Sequence, residues 1–394
     1  MSINFNDTKT AFASKSNGQL RNAQLLYSVI QSPLIVKAIK EATNVALNLN
    51  VPLGWAVKPT LYKQFVGGET LEESIKTVEE LKLSNIKSVL DYSAEGGSAI
   101  EDVHRAFKET IKSIEFAKGK SSIAYTVFKP TAMVIGRVLY KAAENPDSLD
   151  SEERAEFENF KNRVTELCRI AHDSGVRILI DAEHFATQEI IDRVAEDAMR
   201  HFNSSRAIVF QTLQMYRRDR LEYLKYIHDD SKKCGYIPGI KFVRGAYMEE
   251  ERERAKALGY PDPIHPDKES TDRSYDDGLR YVMDNIDHFE LFSGTHNYES
   301  NLLLAKLIDE KGLRRDDERI YFSQLYGMSD NISFTLANEG FNVCKYIPYA
   351  PVKDVLPYLL RRAEENTSMA GQTGRELSLI RAEILRRRSS RTHL

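Results

Sequence analysis

The stretch Arg177-Ile178-Leu179-Ile180-Asp181-Ala182-Glu183-His184 is a short aliphatic run that ends in polar residues. A helical pattern follows it over residues 187–202, and another short apolar run begins at residue 207. Alternation of this kind is typical of parallel strands, because each strand must be followed by a crossover of a dozen or more residues. The stretch therefore predicts an α/β fold whose chemistry lies where the strands end.

The same unit recurs along the chain. Predicted strands lie at residues 87–92, 122–128, 177–181, 207–211, 240–244, 290–295, 319–323 and 342–346. Helical patterns lie between them at residues 100–117, 152–172, 187–202, 217–233, 272–285, 301–311 and 331–339. Eight parallel strands with intervening helices is the count for a (β/α)₈ barrel of the TIM type, and a doubly wound sheet is the main alternative.

The first 64 residues differ from the rest of the chain. They contain helical patterns, notably at residues 22–30 and 34–48, and no predicted strand. We therefore expect an N-terminal helical segment over residues 1–64 and the barrel over residues 65–394.

Composition and charge narrow the class of protein. The chain has 394 residues, of which 42% are hydrophobic and 29% charged, as in an ordinary globular protein. A formal net charge of −3 gives no general attraction for nucleic acid. Three widely spaced cysteines, Cys168, Cys234 and Cys344, favour a reducing compartment. Because neither a signal peptide nor a membrane-spanning segment is evident, a cytoplasmic location is predicted.

Polar residues or glycine follow nearly every predicted strand. In a barrel the carboxyl ends of all strands share one face, so we expect these residues to line a common pocket. Some suit a partly anionic ligand such as a dinucleotide, since they offer hydrogen-bond donors and close-approach backbone: Gln211, Arg244, Gly245, Thr295 and His296. The chain has neither a Gly-x-Gly-x-x-Gly after a strand nor a P-loop, so neither phosphate-binding loop is predicted.

Four residues near the C-terminus fall on one face of a predicted helix: Tyr358, Arg361, Arg362 and Glu365. Arginine is always charged and presents paired donors that match a carboxylate. A solvated basic face is the usual explanation of an isolated arginine pair. Together with Lys129 after the second predicted strand, however, the pair supplies three cations, which indicates a site for a small acid.

A metal site is an alternative, because Asp181, Glu183, His184 and His296 are all competent ligands. Adjacent residues at a strand end point in opposite directions, so only part of this set can face one ion. A mononuclear metallohydrolase therefore stays as an outside alternative.

Seven sequence blocks occur in the same order as in a known family, and they support the site for a small acid rather than the metal site. They are Phe65-Val66-Gly67-Gly68-Glu69-Thr70, Ile178-Leu179-Ile180-Asp181-Ala182-Glu183, Lys241-Phe242-Val243-Arg244-Gly245-Ala246-Tyr247, Gly294-Thr295-His296-Asn297, Gln324-Leu325-Tyr326-Gly327-Met328, Tyr346-Ile347-Pro348-Tyr349 and Leu356-Pro357-Tyr358-Leu359-Leu360-Arg361-Arg362. From about residue 65 onward the chain resembles the proline dehydrogenase family of flavoenzymes.

The resemblance implies a (β/α)₈ barrel whose final helix lies over the carboxyl end, with FAD across that face. It implies oxidation of L-proline to 1-pyrroline-5-carboxylate, the first step of proline degradation to glutamate, with hydride passing from C5 to the flavin N5. Electrons would then reach a membrane quinone, with peripheral contact at the inner membrane. Since the chain has no room for an aldehyde dehydrogenase domain, a separate pyrroline-5-carboxylate dehydrogenase is expected. The amine must react unprotonated, so the rate should rise with pH.

The resemblance also assigns roles to residues. Lys129, Arg361 and Arg362 would hold the carboxylate, and three residues would form the wall around the ring: Leu325, Tyr346 and Tyr358. Asp181 and Lys241 would be catalytic, although bifunctional relatives carry arginine where this chain has Lys241. The implied FAD contacts are Ala182, Gln211, Arg244, Gly245, Ala246, Thr295, His296 and Glu365.

One further hypothesis concerns substrate entry. Glu95 aligns with an acidic residue that can pair with Arg361, and we expect this pair to act as a gate. Glu95→Ala should then weaken retention of proline, and unchanged kinetics would remove the hypothesis. Besides the metallohydrolase, two alternatives to proline oxidation remain at this point: a dehydrogenase of hydroxyproline or another cyclic imino acid, and a flavin-free barrel that serves as a binding or scaffold protein.

Overall fold

The computed structural model describes residues 3–32, 34–39, 41, 57–93, 99–368 and 370–392, without the side chains of residues 59, 363–373 and 391–392. Eight parallel strands pair in chain order, and the last pairs with the first to close a barrel. They are β1 Ile86–Tyr92, β2 Ile123–Phe128, β3 Arg177–Ile180, β4 Val209–Gln214, β5 Gly239–Val243, β6 Glu290–Gly294, β7 Ile320–Leu325 and β8 Val343–Tyr349. The predicted (β/α)₈ barrel is confirmed.

Helices surround the barrel. They are Leu71–Lys82, Ile100–Ala117, Gly136–Glu144, Ser151–Ser174, Phe185–Phe202, Arg220–Cys234, Met248–Leu258, Lys268–Asp284, Tyr298–Glu310 and Asp330–Asn338. Short helical turns lie at Pro130–Met133, Pro146–Ser148 and Ile286–His288. The N-terminal part contributes Thr8–Ala11, Asn17–Ile30, a helix at 34–39, and the consecutive turns Lys58–Tyr62 and Lys63–Phe65. Two long helices, Val352–Ser368 and Ala370–Thr392, follow the last strand.

Alternation along the strands builds two separate layers of core. One face of each strand packs on the surrounding helices, as Ile178 and Val209 do. The other face fills the barrel, where the ring of Tyr125 meets those of Phe210 and Phe292 edge to face. Which face a strand residue belongs to therefore decides whether it can reach the barrel mouth.

The amino-terminal end of the barrel is closed by a buried ion pair. Arg177 at the start of β3 donates to the carboxylate of Glu290 on β6 at 2.7 Å, and both side chains are buried. The Arg177 guanidinium also lies 5.5 Å from the centre of the Tyr125 ring. Because side chains fill this end of the barrel, a ligand-binding site is expected at the carboxyl end instead.

The N-terminal helices and the last helix are joined by hydrogen bonds. Glu383 on the helix Ala370–Thr392 is fully buried and accepts hydrogen bonds from Thr8, Arg386 and Arg387. Arg387 also donates to the backbone carbonyl of Phe12 at 2.8 Å. These contacts fix the last helix to the N-terminal helices.

Several predicted boundaries are wrong in detail. β4 runs to Gln214 rather than ending at residue 211, and the helices Leu71–Lys82, Gly136–Glu144 and Met248–Leu258 were not predicted. The predicted helix 34–48 is observed at 34–39, and residues 42–48 lie outside the described residues. The boundary after residue 64 stays a prediction. No helix in the described ranges has the length and apolar character of a bilayer-spanning segment.

Candidate active site

A carboxylate at the end of β3 is the centre of the barrel mouth. Asp181 accepts a hydrogen bond from the Lys241 ammonium of β5 at 2.6 Å and another from the Tyr346 hydroxyl of β8 at 2.9 Å. The Lys241 Nζ also lies 4.8 Å from the centre of the Tyr346 ring. Three residues from different parts of the barrel are thus in direct contact: the predicted catalytic residues Asp181 and Lys241, and the predicted wall residue Tyr346.

Lys129, which follows β2, joins this cluster as a cation. Its Nζ lies 3.7 Å from the carboxylate of Asp91 on β1. Burial opposes the charged form of Lys129, but the neighbouring carboxylates, chiefly Asp91 and Asp181, outweigh burial and raise its pKa. Burial alone would likewise raise the pKa of Asp181, but the Lys241 and Lys129 cations lower it below its usual value. Both groups are therefore charged near neutral pH.

The helix Val352–Ser368, called the arginine helix below, begins just after β8. Val355 and Leu359 on one face are fully buried. On another face, the guanidinium of Arg362 lies 5.2 Å from the centre of the Tyr358 ring. Arg361 lies close enough to Lys129 to oppose its positive charge. The structure thus brings the predicted cations Lys129 and Arg361 together.

Arg362 acts on a second residue of the mouth, His296, which follows β6. Burial, together with the positive charges of Lys345 and Arg362, lowers the pKa of His296 to about 3. His296 is therefore neutral at physiological pH, and its Nδ1 lies 2.9 Å from the Ser329 hydroxyl. Arg361 thus acts on Lys129 after β2 and Arg362 acts on His296 after β6, so both arginine charges lie at the mouth.

Arg244 after β5 is held in one orientation. Its guanidinium donates to Asp272 at 2.7 Å, to the Thr295 hydroxyl at 2.7 Å and to the Ser300 hydroxyl at 3.1 Å. Its guanidinium carbon lies 4.5 Å from the centre of the Tyr275 ring. A cation fixed in this way is suited to an anionic part of a large ligand, because little side-chain entropy is lost on binding.

Gly245 is required by its backbone conformation and by a close neighbour. Its φ is +138°, and a Cβ at this position would lie 2.4 Å from the Tyr216 ring. Gly245 and Ala246 are exposed at the mouth, whereas the Tyr216 ring is buried beneath them. Glycine at this position therefore allows the backbone to pass directly over the Tyr216 ring, while its own peptide groups stay exposed to a ligand.

We expect Gly245→Ala to lower the free energy of unfolding by about 3 kcal/mol or more, from backbone strain and overpacking together. Gly259→Ala is a matched control, because Gly259 has φ +73° but nothing within 4 Å of an added Cβ. That control should lose only about 1–2 kcal/mol. Urea unfolding measures both variants, and equal losses would contradict the role given to Tyr216.

Gln211, a predicted flavin contact, does not reach the mouth, whereas Gln214 does. Gln211 lies on the outer face of β4, where its amide donates to Asp192 and to the Tyr223 hydroxyl, each at 2.8 Å. Gln214 lies three residues further on the opposite face, and its amide donates to the backbone carbonyl of Glu183 at the mouth. The predicted strand ends at residue 211, whereas β4 continues to Gln214, so Gln214 is the glutamine at the end of the strand.

The remaining predicted residues have clear positions. Ala182 is half-buried beside Asp181, and Leu325 at the end of β7 packs against the cluster that contains Tyr346. Glu95 lies outside the described residues, so the proposed gate with Arg361 stays a prediction, and the side chain of Glu365 is not described.

The alternative metal ligands point to different partners. Glu183 accepts hydrogen bonds from the backbone and hydroxyl of Thr131 at 2.7 and 2.6 Å. His184 lies between the Tyr140 hydroxyl at 3.0 Å and Glu250 at 2.9 Å. Across the described residues, no group of three or more His, Cys, Asp or Glu side chains is arranged to hold a metal ion.

Sequence reasoning missed a carboxylate behind His296. Ser329 adopts a left-handed backbone with φ 49°, and its N–H donates to the Glu376 carboxylate at 2.9 Å. Burial and the nearby Asp330 carboxylate raise the pKa of Glu376 to about 7. No motif marks Glu376, because its role depends on how the last helix packs on the barrel.

This raised pKa predicts a pH dependence of stability. Glu376 titrates at about 7 when folded and near 4.5 when unfolded, so between these values the folded state binds more protons. Stability should therefore fall by roughly 2–3 kcal/mol as the pH rises through this window, and Glu376→Gln should remove that fall.

Glu383→Gln is the control, because the pKa of Glu383 is lowered to about 2, mainly by its arginine partners against the effect of burial. Its contribution to stability is present above about pH 4.5 and is lost toward pH 2. Urea unfolding between pH 4 and 8 should thus distinguish the variants, and an unchanged slope in Glu376→Gln would contradict the assignment.

Comparison with known proteins identifies a family whose model matches this chain. Residues 74–375 match the family model described as proline dehydrogenase. Proline dehydrogenase 1, mitochondrial, of Arabidopsis thaliana is 30% identical over 98% of this chain and 86% of its own length. Hydroxyproline dehydrogenase of Xenopus laevis is 30% identical over 95% of this chain and 88% of its own length.

A solved structure shares the fold. Proline utilization A (PutA) from Bdellovibrio bacteriovorus, inactivated by N-propargylglycine, matches 91% of this chain with a TM-score of 0.70 and 19% identity. The match covers 38% of that longer protein, so this chain spans little more than a third of it. At this identity the similarity concerns the barrel architecture alone.

Proposed function

The chain belongs to the proline dehydrogenase family, and from that premise we propose that it oxidises L-proline to 1-pyrroline-5-carboxylate with FAD and passes the electrons to a quinone. The observation that carries this proposal is the convergence of Lys129, Arg361 and Arg362 on a mouth that also contains the Tyr346 hydroxyl and the Asp181 carboxylate.

The three cations fix the carboxylate of proline, and apolar side chains surround its ring. Lys129 stays protonated because of Asp91 and Asp181, so it keeps its charge when a carboxylate approaches. Tyr346, Tyr358 and Leu325 supply the walls, and the two tyrosines are nearly buried. Fixing the carboxylate on one side determines where C5 of the ring lies, which supplies the orientation that hydride transfer needs.

The residues present fit FAD. The cation Arg244 is held rigidly beside the exposed backbone of Gly245 and Ala246, which suits a pyrophosphate. Neutral His296, Thr295 and Gln214 offer polar groups around the same edge. When bound, FAD supplies the acceptor for the hydride that leaves C5, and Glu365 and Ala182 remain proposed contacts.

Lys241 and Asp181 control charge at the mouth. Asp181 stays ionised and holds the Lys241 ammonium and the Tyr346 hydroxyl in place. Oxidation builds positive charge at the ring nitrogen, so proline must react as the neutral amine, and the rate should rise with pH. Asp181 balances this charge, while Lys241 keeps a cation where the bifunctional relatives carry arginine.

The electron acceptor and the cellular setting follow from the same proposal. Because a quinone dissolves in membranes, the protein would contact the inner membrane peripherally, and we propose that it does so from the cytoplasmic side. A separate pyrroline-5-carboxylate dehydrogenase would consume the product.

Anaerobic addition of L-proline to the purified protein tests the proposal. We expect a yellow protein whose flavin absorbance bleaches on addition of L-proline. A colourless protein that takes up no FAD would support the scaffold alternative. Stronger bleaching with hydroxyproline would favour the second candidate, which the Xenopus laevis relative supports because it matches nearly the whole chain.

A further inference from the structure

A large cavity lies between the N-terminal helices and the rim of the barrel. Its volume is about 1060 Å³, at the upper end of the roughly 300–1,000 Å³ typical of small-molecule sites. The helix Asn17–Ile30, the segment 57–80 and the loop after β7 form most of its walls, and Leu360 of the arginine helix also contributes. Among the described lining residues, none belongs to the predicted proline site, so this cavity is separate.

One wall of the cavity is apolar from the surface inward. Leu25, Val29 and Ile39 line the cavity and are also 69%, 40% and 37% exposed, so they mark where it opens. Further in, Ile30 and Val36 are buried along the same wall. The opposite wall is mixed, because it includes the Lys58–Glu69 ion pair as well as Val57, Leu61 and Val66. The N-terminal helices therefore provide a continuous apolar surface along which an apolar chain can lie.

The inner end of the cavity is polar. Lys15 lines it and lies 3.3 Å from Asp330. The Tyr27 hydroxyl is buried there and donates to the backbone carbonyl of Gly327 at 2.7 Å. Glu376 lines the same end. Cationic, hydroxyl and carboxyl groups at one end of an apolar space suit a ligand with polar oxygens on an apolar body.

This polar end is connected to the barrel mouth by two hydrogen bonds. Glu376 accepts from the Ser329 N–H at 2.9 Å, and the Ser329 hydroxyl lies 2.9 Å from His296 Nδ1. A second cavity of about 40 Å³ lies between these same residues, which is enough for about one water molecule. The polar end is thus separated from a predicted flavin contact by a single layer of side chains.

We propose that this cavity binds the quinone acceptor, with the ring at the Glu376 end and the apolar tail along the N-terminal helices; this rests on the proposed function. Oxidation of neutral proline removes a hydride from C5 and a proton from nitrogen. The quinone takes up the corresponding two electrons and two protons and leaves as the quinol. Glu376 and the neighbouring polar groups provide a place where those protons can be exchanged.

Filling the cavity tests the proposal with the holoenzyme. Ala23 lines the cavity, so Ala23→Phe should reduce its volume, and Val29→Trp should narrow the exposed opening with little risk to folding. Ser28→Phe is the matched control, because Ser28 is exposed on the same helix away from the lining residues. Equilibrium dialysis measures binding of decylubiquinone, and decanol serves as an apolar probe without the quinone ring.

We expect both cavity variants to bind decylubiquinone at least tenfold more weakly and to raise its KM by a similar factor. Anaerobic bleaching by L-proline and turnover with a water-soluble dye should stay within twofold of wild type. Unchanged quinone binding in both variants, equal loss in Ser28→Phe, or displacement of the quinone by equimolar decanol would overturn the proposal. Failure of wild-type bleaching would instead refute the proposed function, and dialysis would still report on the cavity.

Discussion

Replacing Arg362 with methionine is expected to lower kcat/KM for L-proline by about 10²- to 10³-fold, mostly through a higher KM. Methionine keeps the length and apolar stem of the side chain but removes the charge and the paired donors. The loss should be large because Arg362 lies over a nearly buried tyrosine at the mouth, where water screens the charge poorly.

Arg193→Met is the control for the loss of one positive charge. Arg193 is 72% exposed on an outer helix and pairs with another exposed residue, Glu189. Steady-state kinetics should show less than a twofold change in this control. A similar small change in Arg362→Met would mean that the arginine face is a solvated basic surface, as for most isolated arginine pairs.

Asp181→Asn is expected to have the second largest effect, because it affects both folding and catalysis. It leaves the Lys241 ammonium buried without its anion and removes the charge that helps keep Lys129 protonated. Breaking a buried pair from one side costs about 3–5 kcal/mol of stability. We also expect kcat to fall by about 10²-fold, since Tyr346 loses its charged acceptor and the developing positive charge loses its balance.

Urea unfolding and steady-state kinetics together measure this effect, and Asp197→Asn on an exposed helical surface is the control. The double variant Asp181→Asn with Lys241→Met supplies a further test. Removing both charges should recover part of the lost stability but not the lost kcat. Full recovery of activity in the double variant would show that the pair is only structural.

The barrel could be predicted from the sequence because its signal is repeated. Strand β3 and the helix after it show the pattern clearly, and the same alternation recurs at each unit. The helix Ile100–Ala117 was predicted at its observed ends. The helix Met248–Leu258 was missed because it is almost entirely charged, and its apolar face is reduced to residues such as Ala255.

The candidate site was predicted where motifs carry it and missed where packing does. Lys129 and Asp181 follow predicted strands that are observed, Lys241 and Tyr346 lie within two others, and the structure brings all four together. Gln214 was missed because one strand was ended three residues too early. In a strand, such a shift changes the face and therefore the assignment.

Buried charges away from the motifs could not be predicted. Lys345 on β8 is fully buried and lies 2.9 Å from Asp330, which also pairs with Lys15 of the N-terminal segment. Opposing effects of burial and of these two lysines leave the pKa of Asp330 at about 2. Such a network exists only after distant segments pack, so local sequence carries no sign of it.

The central claim is that the paired arginines bind the carboxylate of proline. Anaerobic flavin reduction by L-proline and by pyrrolidine, which lacks the carboxylate, tests it most directly in the wild type and in the double variant Arg361→Met with Arg362→Met. We predict that the wild type prefers proline by about 10³-fold or more, and that the double variant loses most of this preference while pyrrolidine reacts at a similar rate in both. A double variant that keeps the wild-type preference would contradict the account.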